Sequence, residues 1–165
     1  MTQRLHVTTV ASPFRDVRLV ASEQGLRAVL WWRHEAERVP FGDAVLVDGR
    51  TDVLDAAVAQ LDEYFAGTRT AFDVPLDPVG TPFQHASWAI LREIPYGETI
   101  TYGEQARRLG DVNATRAVGA ANGRNPLSVI VPCHRVIGAD GKLTGFAGGL
   151  DTKAWLLAHE RHTLF

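Results

Sequence analysis

The residues best equipped for chemistry in this 165-residue chain lie in Val131-Pro132-Cys133-His134-Arg135-Val136, which holds its only cysteine. A thiol becomes nucleophilic when a base or a positive field favours its thiolate, and His134, Arg135 or a helix N-terminus can supply that field. The plain alternative is an inert, buried small hydrophobe, the commoner fate of a lone cysteine. The apolar run Leu127 to Val131 reads as a buried extended segment, since a residue before proline is biased toward extended geometry. Cys133 is then expected at a sharp exit from the core, fixed and partly exposed. Neighbouring side chains on extended backbone face opposite ways, so His134 is expected to reach the thiol through a turn or a bridging water.

Other thiol chemistries fit less well. A phosphatase loop needs an arginine six residues after its cysteine, and that position is Ala139. A redox pair or a structural zinc needs more cysteines than one. A thiol protease needs an acyl-binding oxyanion hole, for which the sequence carries no particular signal. A lone nucleophile without a resolving partner remains.

The elements that must position it fall into two halves. Short β-prone runs at Leu5 to Val10, Asp16 to Ala21 and Leu26 to Trp32, separated by turn residues, read as an antiparallel meander. Asp48 to Thr51 offers caps for a helix from about Asp52 to Ala66, with Val53, Leu54, Ala57, Leu61 and Phe65 on its inner face. No catalytic grouping is visible there, and His6, His34 and His85 read as surface or hydrogen-bonding residues. Trp31 and Trp32 fit core packing or an interface equally. Val74-Pro75-Leu76-Asp77-Pro78 breaks regular structure as a linker.

In the second half, Thr81-Pro82 starts a helix carrying Phe83, Ala86, Ile90, Leu91 and Ile94 inward until Pro95. Thr101 to Glu104 has capping-box form and opens a helix ending near Gly110. Asn113 can cap the next, Ala114 to about Asn122, and the pair spells a helix-turn-helix. The second helix is built from small residues, which suit close packing on another helix or close approach to a DNA groove without reading base edges. Gly123 suits a left-handed stop, and Asn125 can hold the turn that follows. Glycines at 145 to 149 fit a tight crossing or a cradle of backbone donors. Asp151 is expected to cap a last helix packing through Trp155, Leu156 and Leu157.

Charge is uneven. The formal net charge is −2, but residues 1–81 hold 8 Lys and Arg against 12 Asp and Glu, and residues 82–165 hold 9 against 7, giving −4 and +2. The total does not suggest a nucleic-acid protein, but of the two halves the second is the better candidate for a DNA face, with modest affinity and a strong salt dependence. Nothing resembles a signal peptide or a membrane span, and the solitary cysteine excludes an internal disulfide framework, so a cytoplasmic protein is expected.

Pro132-Cys133-His134-Arg135-Val136-Ile137-Gly138, Gly123-Arg124-Asn125-Pro126 upstream and Gly145-Phe146-Ala147-Gly148-Gly149-Leu150 downstream together resemble the O6-alkylguanine-DNA alkyltransferases. The likeness is close from about Thr81 to Glu160 and holds in outline before it. It implies an α/β N-terminal domain at 1–76 (a short antiparallel, ribonuclease H-like sheet with a covering helix), a linker at 77–81, and a mostly α C-terminal domain at 82–165 with a winged helix-turn-helix.

The resemblance further implies direct, single-use transfer of an alkyl group from O6-alkylguanine, with O4-alkylthymine as a further substrate, to Cys133. Glu160, His134, a water and Cys133 form the implied relay, Tyr102 rotates the nucleotide and protonates the ring, and Asn125 ties the DNA-binding helix to the site. Arg116 fills the gap left by the flipped nucleotide. Ala114, Thr115, Ala117, Gly119 and Ala120 line the DNA contact, in the minor groove, and Val136, Phe146, Ala147, Gly148 and Lys153 the base pocket. Phe146 stands where relatives often have tyrosine, and Ala147 where some have serine. An ordinary surface charge is the simpler expectation for Lys153. No cofactor is implied, and no metal, since the N-terminal zinc of some relatives uses cysteines absent here. The protein is expected to be monomeric off DNA and to cluster on it. The competing readings are a lesion sensor without transfer activity, and a transcription factor.

Overall fold

A computed structural model describes residues 2–31, 39–143 and 149–162. The strands β1 (Arg4–Val10), β2 (Val17–Ala21) and β3 (Leu26–Trp31) pair antiparallel as the alternating runs require, His6 opposite Ala21 and Val17 opposite Trp31. A fourth strand, β4 (Val45–Asp48), corrects the expected pure meander. It lies parallel to β1, giving the order β3-β2-β1-β4. Four residues on an edge, with Val45 and Leu46 exposed, leave no inward alternation for sequence reading to find.

Helix α1 (Asp52–Phe65) starts where expected, with Thr51 Oγ1 accepting from the Leu54 amide at 3.2 Å. Leu54, Ala57, Leu61 and Tyr64 are buried against the sheet, whereas Val53 and Phe65 are only half-buried. Trp31 is buried in the core, and Trp32 and His34 lie outside the described residues. The segment at Val74–Pro78 is docked, not free. Leu26 donates to Pro75 O and Asp77 to Leu26 O, both at 2.8 Å, and Arg27 pairs with the Asp77 carboxylate at 2.9 Å. Gly25 allows this approach, because a Cβ there would stand 2.7 Å from Pro75 O.

Helix α2 (Pro82–Leu91) has a complete capping box between Thr81 and Gln84; it turns Leu91 inward as expected, but Ser87 and Trp88 take the place expected for Phe83 and Ala86. Ser87, Trp88 and Leu91 are buried, with Ile94 just beyond, while Phe83 and Ala86 are exposed. Hydrogen bonds set the rotation. Trp88 Nε1 donates to Ala121 O at 2.8 Å, and Ser87 accepts from Gln105 at 3.0 Å.

Strand β5 (Ile100–Thr101) leads into α3 (Tyr102–Arg108), where Thr101 caps the Glu104 amide. The capping box stays half-made, because the Glu104 carboxylate pairs with Arg107 and Arg108 instead. Helix α4 (Thr115–Gly123) begins one residue later than expected, with Ala114 at the cap position. Asn113 does not cap it; the Asp111 carboxylate instead takes the Asn113 amide. A reciprocal buried amide pair, Gln105 with Asn122 at 3.0 and 2.8 Å, locks α3 to α4. Strand β6 (Val136–Ile137) pairs parallel with β5, and α5 (Leu150–His162) closes the chain. Asp151 sits inside the first turn of α5, pairing with Arg15 at 2.6 Å, and Leu156 is fully buried. No helix among the described residues is long and apolar enough to cross a membrane.

Candidate functional site

The approach to Cys133 is a chain of tight turns, which corrects the expected extended segment. Val129 has φ 72°, and Ile130 N bonds Ser128 O across it at 2.9 Å. A β-branched residue in such a γ-turn is strained by about 1–3 kcal/mol. Pro132, at φ −82° and ψ 66°, makes the opposite-handed γ-turn, closed by Cys133 N to Val131 O at 2.8 Å. Buried Asn125 staples the path, its Nδ2 donating to Val131 O at 2.8 Å and its Oδ1 accepting from the Leu127 amide at 2.9 Å. The other side is held by β3, since Val29 N donates to Pro126 O at 2.8 Å and Ser128 N to Val29 O at 3.1 Å.

Cys133 opens a 3-10 turn, Cys133–Arg135, and is 8% exposed, more enclosed than the expected partly open thiol. His134 is wholly buried, with Nε2 2.6 Å from Glu160 Oε2. Because the carboxylate can only accept, Nε2 carries the proton and Nδ1 is left as the acceptor. Nδ1 has no hydrogen-bond partner among the described residues. Burial, helped by the Arg135 and Lys153 charges, lowers the imidazole's proton affinity against the opposing pull of Glu160.

Glu160 is the best-supplied acceptor in the site. Besides His134 it receives Arg135 Nε at 2.8 Å, Arg135 Nη2 at 3.1 Å, Tyr64 Oη at 2.7 Å and the Gly97 amide at 3.3 Å. Burial alone would raise this carboxyl, but His134 and Arg135 outweigh it and hold the group well below the ordinary carboxylate range. Arg135 also donates to Ile94 O at 2.7 Å and lies over the Tyr96 ring.

Lys153 overturns the surface-charge expectation: it is fully buried, with Nζ 2.6 Å from Val136 O and 3.5 Å from Tyr102 Oη. Burial lowers its proton affinity, and the Cys133 thiol acts in the opposite direction. The structure therefore brings Cys133, His134, Glu160, Lys153, Val136 and Tyr102 together, with Asn125 beneath. Phe146, Ala147 and Gly148 lie outside the described residues.

The second group stands apart, on the outer face of α4. Thr115, Arg116, Ala117 and Ala120 are exposed and Ala114 and Gly119 half-buried, while Val118, Ala121 and Asn122 point inward. A Cβ on Gly119 would meet nothing within 4 Å. The small residues are thus not explained by packing on a neighbouring helix. Arg124, exposed at the end of α4, extends this face.

Family comparison decides what this architecture is. The model for the 6-O-methylguanine DNA methyltransferase DNA binding domain matches residues 82–162, and that for its ribonuclease-like domain matches residues 5–78. The chain belongs to the 6-O-methylguanine DNA methyltransferase family. A methylated-DNA–protein-cysteine methyltransferase of Methanosarcina acetivorans is 48% identical over 149 residues, covering 90% of this chain and 94% of that protein. One from Mycolicibacterium paratuberculosis is 60% identical over 105 residues, 64% of each chain. Among solved structures, Mycobacterium tuberculosis OGT in complex with DNA superposes with a TM-score of 0.85 at 42% identity, covering 97% of this chain and 94% of that one.

Sequence reasoning missed Tyr64 of this methyltransferase-family site altogether and named Arg135 only as a source of positive field, not as the buried partner of Glu160. A charged side chain flanked by the apolar Val129 to Val131 and Val136 to Ile137 signals a buried ion pair, and on that ground the Arg135 role could have been found. Tyr64 gave no such signal, being one aromatic on an amphipathic helix.

Proposed function

We propose that this protein repairs DNA by moving the alkyl group of O6-alkylguanine, in a duplex, onto its own Cys133. The observation that carries the reading is the thiol beside a buried histidine whose Nε2 is locked onto Glu160 and whose Nδ1 is open as a base. The names of the relatives, methylated-DNA–protein-cysteine methyltransferases, and the DNA-bound OGT structure support it.

Cys133 gives its proton to His134 Nδ1 through a water, and Glu160 holds the imidazole in the tautomer that can accept it. The thiolate attacks the alkyl carbon, so a C–S bond forms as the C–O6 bond breaks, and the electron pair leaves with guanine. Tyr102 donates a proton to the ring, and the Lys153 ammonium stabilises the thiolate. Val136 and Lys153, with Phe146, Ala147 and Gly148, line the base pocket. Thioether formation is irreversible, since the alkyl carbon of a neutral thioether carries a poor leaving group that neither thiol nor water readily displaces, so each chain reacts once.

The α4 face, with Ala114, Thr115, Ala117, Gly119 and Ala120, lies in the minor groove, and Arg116 enters the stack where the nucleotide leaves. Residues 1–76 form the structural domain and 82–165 the reactive one, joined by 77–81; the protein acts in the cytoplasm as a monomer that clusters on DNA, with O4-alkylthymine as a secondary substrate.

The test is to incubate the chain with duplex carrying O6-methylguanine and weigh the protein. One methyl per chain, on Cys133, is expected, and none in Cys133→Ala, which still binds the duplex. Several methyls per chain, or repaired DNA beside an unmodified thiol, overturns the reading, and lesion binding without transfer favours a sensor.

A further inference from the structure

Tyr64 reaches the reactive turn from the half of the chain that carries no nucleophile. It lies in α1, is fully buried, and donates to Glu160 Oε2 at 2.7 Å. That same oxygen accepts from His134 at 2.6 Å and from Arg135 Nη2 at 3.1 Å. The placement is fixed twice over. His159, one residue before Glu160 on α5, donates from Nε2 to the Tyr64 carbonyl at 2.8 Å, and the rings of Phe65, Phe72, Tyr96 and His159 stand 5.1–6.0 Å from the Tyr64 ring. Packing alone accounts for a buried aromatic ring. It does not account for a hydroxyl on the carboxylate oxygen that holds the base.

We propose that Tyr64 is a positioning residue of the alkyl-transfer site, its hydroxyl fixing Glu160 against His134 and taking up part of that carboxylate's charge. This rests on the transfer reading above. An acceptor shared among three donors pulls less on each, so the Tyr64 hydroxyl lets His134 remain a neutral base inside a buried ion network. The groups facing this pair are Arg135 and Cys133 on the turn, Lys153 and His159 on α5, Tyr96 and the Gly97 amide after α2, and Tyr64 itself on α1. Tyr64 is held protonated far above neutrality by its burial and by Glu160, so it stays a donor throughout the working range.

The sign follows. In Tyr64→Phe the ring remains and the donor goes, Glu160 pulls harder on His134, and the imidazole takes up its second proton at higher pH. The experiment is single-turnover methyl transfer from an O6-methylguanine duplex across pH 5–9 for the full chain and for Tyr64→Phe, with duplex affinity and thermal unfolding measured alongside. Transfer at neutral pH should slow roughly tenfold, as when a group supporting a reactive side chain is lost. The acid limb of the profile should move to higher pH while duplex affinity is unchanged. Phe72→Leu, which loosens the same aromatic cluster without touching Glu160, should lower the unfolding temperature and leave the acid limb in place. An unshifted limb in Tyr64→Phe, whatever the rate, or an equal shift in Phe72→Leu, overturns the proposal. Failure of the wild-type chain to transfer at all is a different result, which removes the repair reading and this proposal with it.

Discussion

The reactive turn and the outer face of α4 solve opposite problems in one small protein. Around Cys133, among the described residues, the charges are buried and shared: Glu160 takes at least five hydrogen bonds, Arg135 spans Glu160 and Ile94, and Lys153 is fully enclosed. On α4 the proposed DNA face is bare, with Arg116 exposed among alanines and glycine. A nucleophile needs fixed geometry and a dry field, which favours a network whose members come from α1, the loop after α2, the turn and α5. A surface that must accept damage in any sequence context needs shape without base-reading groups, which the α4 face proposed for that role has. The two differ accordingly in how mutation should act. Changes in the turn should cost stability and reaction together, and changes on α4 should cost only what DNA supplies.

Removing the Glu160 charge is the harshest test of that contrast. Glu160→Gln leaves Arg135 buried without its anion and turns an amide hydrogen toward His134 or Arg135. A stability loss of about 3–5 kcal/mol in chemical unfolding is expected, together with loss of transfer. A loss below about 1 kcal/mol, typical of an exposed pair, would show that the network is not what holds the turn.

Acid should attack the same side. His134 titrates below its ordinary 6.5 in the folded protein, so just below that value the unfolded chain binds the extra proton and stability falls as pH drops. Glu160, also depressed, contributes stability that is present above the ordinary carboxylate range and is lost as pH falls through its folded value, so the two effects have one sign. Unfolding free energy should decline between pH 7 and 5, at up to ~1.4 kcal/mol per unit from His134. A flat response over that window would contradict a buried neutral imidazole.

The contrast also explains what the sequence made legible. The three meander strands, the Thr51 and Thr101 caps and the helix-turn-helix follow from local pattern, and the structure has them; the His134–Glu160 partnership, 26 residues apart, comes only from the family resemblance, and the structure has it too. Burial was the illegible part. Lys153 reads as an exposed lysine because nothing in its helix reveals that the Val136 carbonyl and Tyr102 wait above it. The turns at Val129 and Pro132 look like strand because their apolar letters are those of a strand, and only the Asn125 staple and the β3 backbone bend them. Helix α2 buries Trp88 and Ser87 instead of Phe83 and Ala86 because these two have partners 33 and 18 residues away. Tyr64 is 96 residues from Glu160, beyond any local pattern.

On the α4 side, Arg116→Ala should leave unfolding unchanged within about 0.5 kcal/mol, as exposed positions do. Transfer from duplex should slow about tenfold, the equivalent of ~1.4 kcal/mol of lost extrusion support, while transfer from the free modified base is unaffected. Equal losses on duplex and free base would move Arg116 from the DNA face to the chemistry.

Gly119→Ala separates the two regions by sign. Inside α4 an alanine in place of glycine favours the helix by about 0.5–1 kcal/mol, and the added Cβ has no neighbour within 4 Å to strike. The isolated protein should therefore become slightly more stable, with an unchanged pH profile for the free base. In the proposed docking the same methyl stands between α4 and the groove, so affinity for both damaged and plain DNA should fall. A variant that is stabilised and binds as tightly as the parent would mean that the bare face of α4 is not what meets the groove.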